Sequence, residues 1–378
     1  MGASITAKEI FQQPGLWQEA YQLYVSQLEA IESFLSGIKE KHDLIQVIFT
    51  GAGTSDFVGQ RIANYLNQVN DLKHIRFSTV GSVELVGRPY DYLQADIPTI
   101  LVSFARSGNS PESLAAVEIA KQLVDELYQV TITCAPEGKL AVAAEGDTDN
   151  LLLLQPAGSN DKGFAMTGSF SFMSLTALLV FSPASQEENA HWVETIIRLG
   201  QDVLDREDYV QDLVNLDFER VIYLGAGGFY GLAHEAQLKI LELTAGKIAT
   251  MYESPLGFRH GPKSFINNKT LVILFASNDA YTRQYDVDLL NEVHGDGIAE
   301  RIVALSADKL AGTEAANFVL AEGGAGLPDV FLTFPYILFA QTVSILTAIN
   351  CKNLPDTPSP TGTVNRVVQG VIIHPLEK

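Results

Sequence analysis

The chain has 378 residues, a length that suits two domains, and 47% of its residues are hydrophobic, which is ample for a packed core. The formal net charge of −20 argues against a nucleic-acid-binding surface, because such a surface needs clustered Lys and Arg side chains to neutralise phosphates. A phosphorylated metabolite is not excluded, since backbone N–H groups and hydroxyls in a pocket can hold one small phosphate.

The sequence pattern predicts neither export, nor membrane insertion, nor a zinc site. The N-terminus lacks a basic segment followed by an apolar run, so we expect no signal peptide and a cytoplasmic protein. The most apolar stretch, 331–350, contains Pro335, and we expect a buried core helix there rather than a membrane span. Cys134 and Cys351 are expected to be buried thiols rather than a disulfide, and no Cys/His spacing suggests a metal.

The predicted elements form two series of alternating strands and helices. A helical segment within residues 1–40 comes first, and residues 186–204 form a helix that connects the series. Short apolar, β-branched runs that alternate with helical stretches are typical of a parallel sheet covered by helices on both faces. The predicted strands lie at 44–50, 99–104 and 129–134 in the first series and at 221–224, 270–276 and 301–306 in the second.

The two series form a degenerate repeat with an offset of about 174 residues. Gly51-Ala52-Gly53 follows the first strand of one series, and Gly225-Ala226-Gly227 follows the first strand of the other. An extended segment is expected next in each series, at 79–85 and at 251–256. We therefore predict an α/β fold with two parallel sheets flanked by helices. The predicted parts are an N-terminal segment 1–40, domains 41–185 and 205–350, and a tail 351–378.

Two loops of the first domain have the composition of a phosphate site. The glycine turn at 51–53 places backbone N–H groups at the start of a helix, where an anion is favoured. A dinucleotide fingerprint would need glycine where Asp56 stands, so an oxidoreductase is disfavoured. After the second strand, Ser107, Asn109 and Ser110 surround a glycine, and their hydroxyl and amide groups can bind phosphate oxygens. An unliganded turn and an ordinary capped helix are the alternatives.

A helix of the second domain carries three ionisable residues on one face. Glu235, Lys239 and Glu242 are spaced by four and three, and His260 follows in a His-Gly-Pro turn. Two carboxylates, a lysine and a histidine can move protons on a small substrate. A solvated helix face with an ion pair would show the same spacing. The residues assigned to the packed side of this helix are Ala233, Ile240 and Leu241.

These motifs, in this order, resemble the sugar isomerase (SIS) domain family, with the domain present twice between residues 40 and 370. The phrases SFARSGNSPES, ESPLGFRHGPKSF and VNRVVQGV are characteristic of one branch, the tagatose-6-phosphate ketose/aldose isomerases and galactosamine-6-phosphate deaminase/isomerases. The isomerase half of glucosamine-6-phosphate synthase is a more distant relative. The resemblance implies two tandem SIS domains, each a three-layer αβα sandwich.

The resemblance also implies a role for each candidate residue. Glu242 matches the proton-shuttling glutamate, and His260 matches a ring-opening histidine that is often donated across a dimer interface. The synthase forms a Schiff base through a C-terminal lysine, whereas Arg366 stands here, and a guanidinium is a poor imine-forming nucleophile. Arg366, Lys239 and Glu235 would instead set the local field of the catalytic site. The implied substrate-binding residues are Gly53, Thr54, Ser55, Arg106, Ser107, Asn109, Ser110 and Thr167.

The implied function is the conversion of D-galactosamine 6-phosphate to D-tagatose 6-phosphate and ammonia. The resemblance implies a homo-oligomer whose C-terminal tail completes the active site and which needs no metal or organic cofactor. An aldose–ketose isomerase without deamination and a non-catalytic sugar-phosphate sensor are the alternatives, and the sugar epimer and the choice of dimer or tetramer stay open. In the second domain, residues 277–280 lack the Ser-Gly-x-Ser core of the phosphate loop, so one phosphate site per chain is expected.

Overall fold

The structure is a computed structural model, and it describes residues 2–368 and 370–377. The strands are β1 (Ile45–Thr50), β2 (Ile75–Thr79), β3 (Thr99–Ala105), β4 (Leu127–Thr133), β5 (Asn150–Leu154), β6 (Arg220–Gly225), β7 (Ala249–Glu253), β8 (Thr270–Phe275), β9 (Arg301–Ser306) and β10 (Ala316–Val319). The α-helices are α1 (Ser4–Phe11), α2 (Gln13–Ser26), α3 (Leu28–Lys39), α4 (Thr54–Val69), α5 (Ser82–Gly87), α6 (Pro111–Leu123), α7 (Lys139–Ala144), α8 (Gly168–Phe181), α9 (Gln186–Asp205), α10 (Glu207–Val214), α11 (Gly228–Leu243), α12 (Pro255–Phe258), α13 (Ala280–Asp296) and α14 (Asp329–Asn350).

The strands form two parallel sheets with the same topology. The order is β2-β1-β3-β4-β5 in the first sheet and β7-β6-β8-β9-β10 in the second, and every strand pair is parallel. In each sheet the chain first steps outward to an edge strand and then returns past its first strand, so the order reverses beside β1 and beside β6. The predicted α/β class, with one parallel sheet in each repeat, is confirmed.

The repeated Gly-Ala-Gly turn has a steric reason. Gly53 and Gly227 have φ angles of 57° and 58°, which side chains other than glycine rarely adopt, and each immediately precedes a helix. A Cβ on Gly51 would lie 2.5 Å from the Cβ of Ser55, and a Cβ on Gly225 would lie equally close to that of Phe229. The first and third residues of each Gly-Ala-Gly turn therefore need to be glycine, the first for lack of space and the third for its backbone conformation.

The chain divides into two compact units that are not continuous in sequence. The first unit comprises residues 15–161, 168–189 and the tail from 363, and it contains the first sheet. The second unit comprises the N-terminal residues up to 14 together with 162–167 and 190–362, and it contains the second sheet. Helix α1 thus belongs with the second sheet, whereas α3 belongs with the first. The domain boundaries that we read from the sequence stay predictions.

Each unit is built around apolar elements without solvent exposure. All residues of β3 and β8 are buried, as expected for central strands covered on both faces. Among the described residues, one helix, α14, is long and apolar enough to cross a membrane, but 94% of its apolar window is buried inside the protein. It is the core helix predicted at 331–350. Cys134 and Cys351 are free thiols, as predicted, but only Cys134 is buried and Cys351 is partly exposed.

The two segments predicted as extended, 79–85 and 251–256, are only partly so. Strand β2 ends at Thr79 and α5 begins at Ser82, whose N–H donates to the Gly51 carbonyl and turns the chain away from the sheet. In the second segment, the Ser254 side chain accepts from the Gly257 N–H and Pro255 occupies the first helical position. Local capping therefore overrides the apolar alternation on which the prediction rested.

Candidate active site

The glycine turn after β1 brings two hydroxyl residues to the start of α4. Gly53 ends the turn, and Thr54 and Ser55 follow as the first residues of a 16-residue helix. Both hydroxyl residues are nearly buried. The N–H groups of Ser55 and Asp56 donate to the carbonyls of Ala52 and Gly53, and the partial positive charge at this end of α4 favours an anion.

The second predicted loop lies between β3 and α6. Ser110 stands at the N-cap of α6, and its hydroxyl donates to that of Ser113 over 2.7 Å. The Asn109 amide oxygen accepts the Lys139 N–H at 3.1 Å, so this side chain fixes the loop rather than pointing away from it. Ser107 forms a long contact of 3.4 Å in which its oxygen accepts the Asn109 N–H, and its proton remains available to an acceptor.

Strand register brings these two loops to one edge of the first sheet. Thr50, the last residue of β1, pairs with Ser103 of the neighbouring β3, so both strands run towards the same carboxyl edge. The strand order reverses between β1 and β2 on one side and β3 on the other, which is where open α/β sheets bind ligands. The predicted phosphate residues of this unit are thus brought together.

The C-terminal tail reaches the same region of the first unit. The Arg366 guanidinium donates to the Asp161 carbonyl at 3.0 Å and to the Asn160 amide oxygen at 2.9 Å. The Arg366 carbonyl in turn accepts from Nη2 of Arg106, a nearly buried residue of the phosphate loop. The guanidinium is therefore engaged with oxygens of the chain itself, and its predicted catalytic role stays a prediction.

Helix α11 of the second unit buries its charged face. Glu235 and Lys239 have 0% side-chain exposure, and Glu242 has 24%. The Lys239 ammonium lies 3.4 Å from Oε1 of Glu235 and 2.6 Å from Oε2 of Glu242. The alternative of a solvated helix face is therefore wrong. The assignment of Leu241 to the packed side is also wrong, because this side chain is exposed while the charged stripe faces inward.

This arrangement can hold a proton donor or acceptor in a defined position. A buried ammonium is costly unless carboxylates pair with it, and Lys239 has two such partners. Glu242 is the member of the cluster that retains access to solvent, and its second carboxylate oxygen is available to a bound molecule. The lysine can orient Glu242 while Glu235 balances the charge behind it.

His260 stands apart from this cluster on the turn after α12. The residue is exposed, its backbone N–H donates to the Gly257 carbonyl, and within residues 2–368 and 370–377 its imidazole makes no hydrogen bond. Its neighbours are anchored to α13: Arg259 donates to Glu292 at 2.7 Å, and Lys263 pairs with Glu292 and with Asp296 at 2.5 Å. The turn is thus firmly held while its histidine projects to the surface.

Thr167 is placed differently from the other predicted binding residues. It belongs to the second unit, is fully buried, and its carbonyl accepts from the Gln341 side chain at 3.2 Å. It ends the segment 162–167 immediately before α8. Its predicted contact with a substrate stays a prediction.

Sequence reasoning missed Asp161, a buried carboxylate at the edge of the first unit. Its oxygens accept from the N–H of Gly168 at 3.1 Å and of Ser169 at 2.9 Å, and from the Ser169 hydroxyl at 2.6 Å, which caps α8. Burial raises the pKa of the nearby Cys134 thiol to about 12, so this cysteine is an inert neighbour. A carboxylate seven residues before its helix does not match the short spacing of a capping box, and no sequence signal identified it.

In the second unit, the loop after β8 corresponds to the predicted phosphate loop, and its hydrogen-bond donors are already occupied. The N–H of Asn278 donates to Asp329 at 2.7 Å and the N–H of Ser277 donates to Asp286 at 2.9 Å, while the Ser277 hydroxyl also donates to Asp329. The donors that an external anion would use are therefore occupied by carboxylates of the chain. Burial, with a smaller contribution from Asp329, raises the pKa of Asp286 to about 7.

Comparison with known proteins places these features in context. Residues 42–181 match the family model of the SIS domain. D-galactosamine-6-phosphate deaminase AgaS of Escherichia coli O157:H7 is 42% identical over 374 residues, which cover 98% of this chain and 96% of that protein. The structure of tagatose-6-phosphate ketose/aldose isomerase from Escherichia coli matches with a TM-score of 0.89 at 38% identity, covering 100% of this chain and 99% of that one. A Clostridium novyi structure, provisionally described as the same isomerase, matches with a TM-score of 0.92 at 45% identity and covers 98% of this chain and 95% of its own.

We predict one phosphate site per chain, because among the described residues the Ser107 hydroxyl of the first unit keeps its proton available, whereas the matching donors of Ser277 and Asn278 are occupied by carboxylates. Calorimetry with a non-reactive sugar phosphate should give a stoichiometry of one. Ser107→Ala should weaken binding by about 1–3 kcal/mol, because a phosphate oxygen that the half-buried Ser107 hydroxyl would satisfy loses its donor. Ser277→Ala, the matched change in the second unit, should leave the affinity unchanged. A stoichiometry of two, or equal losses in both variants, would contradict the assignment.

We also predict that Asp286 makes stability fall as the pH rises. Its pKa is 3.8 in the reference state and about 7 in the folded protein, so between these values the folded state binds more protons than the unfolded chain. Unfolding free energy should therefore decrease from pH 4 to pH 7. Asp286→Asn should remove this slope and gain on the order of 2 kcal/mol over the parent protein at pH 8. Denaturant titrations of both proteins at several pH values measure the difference, and parallel pH profiles would refute it.

Proposed function

This chain belongs to the D-galactosamine-6-phosphate deaminase AgaS family and has two tandem SIS domains, and we propose that it converts D-galactosamine 6-phosphate to D-tagatose 6-phosphate and ammonia. The observation that carries this proposal is the buried Glu235–Lys239–Glu242 cluster, in which one partly exposed carboxylate is oriented by a lysine. The match over nearly the full length of the deaminase relatives supports the choice of substrate.

In this proposal the first unit binds the phosphate of the substrate. Thr54, Ser55 and Ser107 supply hydroxyls, and the N-terminal ends of α4 and α6 supply the partial positive charge of the helix dipole. Ser110 can contribute its proton if Ser113 donates in the reverse direction across their hydrogen bond. The Arg106 guanidinium adds a positive charge beside the loop, which offsets the acidic character of the chain for a phosphate dianion.

The second unit would carry out the proton transfer. Glu242 removes the proton from C2 of the open-chain amino aldose and returns it to C1, through an enolamine in which C1 and C2 share the double bond. The C1 oxygen gains a proton as the aldehyde becomes a hydroxyl, the C2 nitrogen loses one, and the product is a ketose imine at C2. Water then adds to this carbon and the C–N bond breaks, so that one water is consumed and one ammonia is released. Lys239 stabilises the carboxylate of Glu242, and Glu235 balances the charge of Lys239. His260 assists ring opening.

A second reading, an isomerase that moves the C2 proton without losing nitrogen, is favoured by the likeness to the tagatose-6-phosphate ketose/aldose isomerase structures. Both reactions need the same carboxylate at C2 and C1. They differ in the substrate at C2, which carries an amine in one case and a hydroxyl in the other.

The deciding experiment measures ammonia from galactosamine 6-phosphate and glucosamine 6-phosphate, together with interconversion of aldose and ketose phosphates. We expect ammonia from galactosamine 6-phosphate.

Glu242→Gln should lower kcat by about 10²-fold or more and stop exchange of the C2 hydrogen with deuterated water, while sugar-phosphate binding persists. Glu219→Gln, at an exposed glutamate of the same unit, is the matched control. Isomerisation without ammonia would establish the second reading, and normal turnover of Glu242→Gln would make the cluster structural.

We further propose a cytoplasmic homodimer in which His260 serves the active site of the partner subunit. The exposed position of His260 and the absence of a hydrogen bond to its imidazole within the described residues support this arrangement. Dissociating and remixing equal amounts of Glu242→Gln and His260→Asn proteins should then restore about a quarter of the wild-type activity, because half of the dimers contain one intact site. If histidine and glutamate act within one subunit, no activity will return on mixing.

A further inference from the structure

A buried glutamate of the N-terminal helix has no part in the reaction described above. Glu9 lies on α1 and is nearly excluded from solvent. Its carboxylate accepts from the backbone N–H of Lys162 and, at 3.1 Å, from that of Gly163. Both donors belong to the short segment 162–167, which lies in the second unit together with α1.

The fit around this carboxylate is close. A Cβ on Gly163 would lie 2.8 Å from Oε2 of Glu9 and 3.2 Å from the Thr6 hydroxyl, so glycine lets the backbone approach the carboxylate. Helix α1 is itself fixed, because Asp356 accepts from the N–H of Thr6 at 2.8 Å and from its hydroxyl at 2.9 Å. Glu9 therefore lies on a helix that is fixed by Asp356, and it binds a segment whose glycine allows close approach.

The Lys162 N–H belongs to the same peptide group as the Asp161 carbonyl, since the two residues are covalently joined. Within the second unit, Glu9 accepts from the N–H of this peptide. Within the first unit, Arg366 donates to its carbonyl at 3.0 Å, and the Arg366 carbonyl accepts from Arg106 of the phosphate loop. A negative charge at the N–H and a positive charge at the carbonyl polarise one peptide in the same direction, so each bond strengthens the other.

We propose that Glu9 is a positioning residue: by fixing the Asp161–Lys162 peptide, it holds Arg366, and through Arg366 it holds Arg106 of the phosphate loop. The inference rests on the proposed phosphate site but not on the identity of the sugar or on deamination. It gives the N-terminal helix a role in substrate affinity although none of its residues is assigned to the substrate.

The test compares Glu9→Gln with Lys8→Gln, a change at an exposed position of the same helix. The amide keeps the shape of the side chain, but it loses the charge and offers one acceptor oxygen to two N–H donors. We expect the dissociation constant for inorganic phosphate to rise by about fivefold in Glu9→Gln, as loss of a charge-assisted hydrogen bond predicts. Faster hydrogen exchange at the Lys162 and Gly163 amides should accompany it, and Lys8→Gln should show neither change.

A double variant separates positioning from a general loss of stability. Arg366 lies on the partly exposed tail, so Arg366→Ala leaves the core intact. If Glu9 acts through Arg366, adding Glu9→Gln to Arg366→Ala should weaken phosphate binding no further. Additive losses, or a Glu9→Gln protein with a lower Tm but unchanged phosphate affinity, would overturn the proposal. A wild-type protein that binds phosphate but releases no ammonia would refute the proposed reaction and leave this inference standing.

Discussion

A lysine ammonium without solvent exposure requires fixed counter-charges, and this requirement organises the second unit around α11. The desolvation of an unpaired charge costs several kcal/mol, which is a large part of the net stability of a folded domain. Lys239 avoids this penalty through Glu235 and Glu242. The helix consequently buries its charged stripe together with most of its apolar residues, while Leu241 is exposed. Because the side chains of Glu235 and Lys239 are fully buried, Glu242 is the member of the cluster that solvent reaches.

The two units show how one backbone plan can serve different ends. Their sheets share a strand order, and the turns at Gly53 and Gly227 agree in φ to within a degree. The two units differ in the loops that follow β3 and β8, where the hydrogen-bond donors have different partners. In the first unit Ser107 keeps a proton available, whereas in the second unit Asp329 has moved a carboxylate onto the equivalent donors. Because this carboxylate is part of the chain and already accepts from these donors, an external anion would have to displace it.

Local and periodic features of this protein could be predicted from its sequence, and contacts between distant residues could not. Strand β9 lies at the predicted residues 301–306, and the four-and-three spacing on α11 does bring its three charges together. The residues predicted to bind phosphate follow β1 and β3 at one edge of the sheet, because parallel strands share a carboxyl edge. By contrast, Glu9 and Lys162 are 153 positions apart, and such a pair leaves no periodic trace in the sequence. The sequence also could not show that the charged face of α11 is buried, because a solvated helix would have the same residue spacing.

The interleaving of the two units has a consequence for how the chain folds during synthesis. The second unit takes its first helix from the N-terminus, and the first unit takes its last segment from the tail beyond 363. Neither unit is complete when its sheet has been translated. Helix α1 leaves the ribosome first, but the Asp356 that caps it arrives some 350 residues later. The contacts of α1 with Lys162 and Gly163 can form before half of the chain has been translated, whereas its contact with Asp356 has to wait until nearly the whole chain is made. A gene cut between the two sheets would encode two fragments that each lack an essential piece of their own unit.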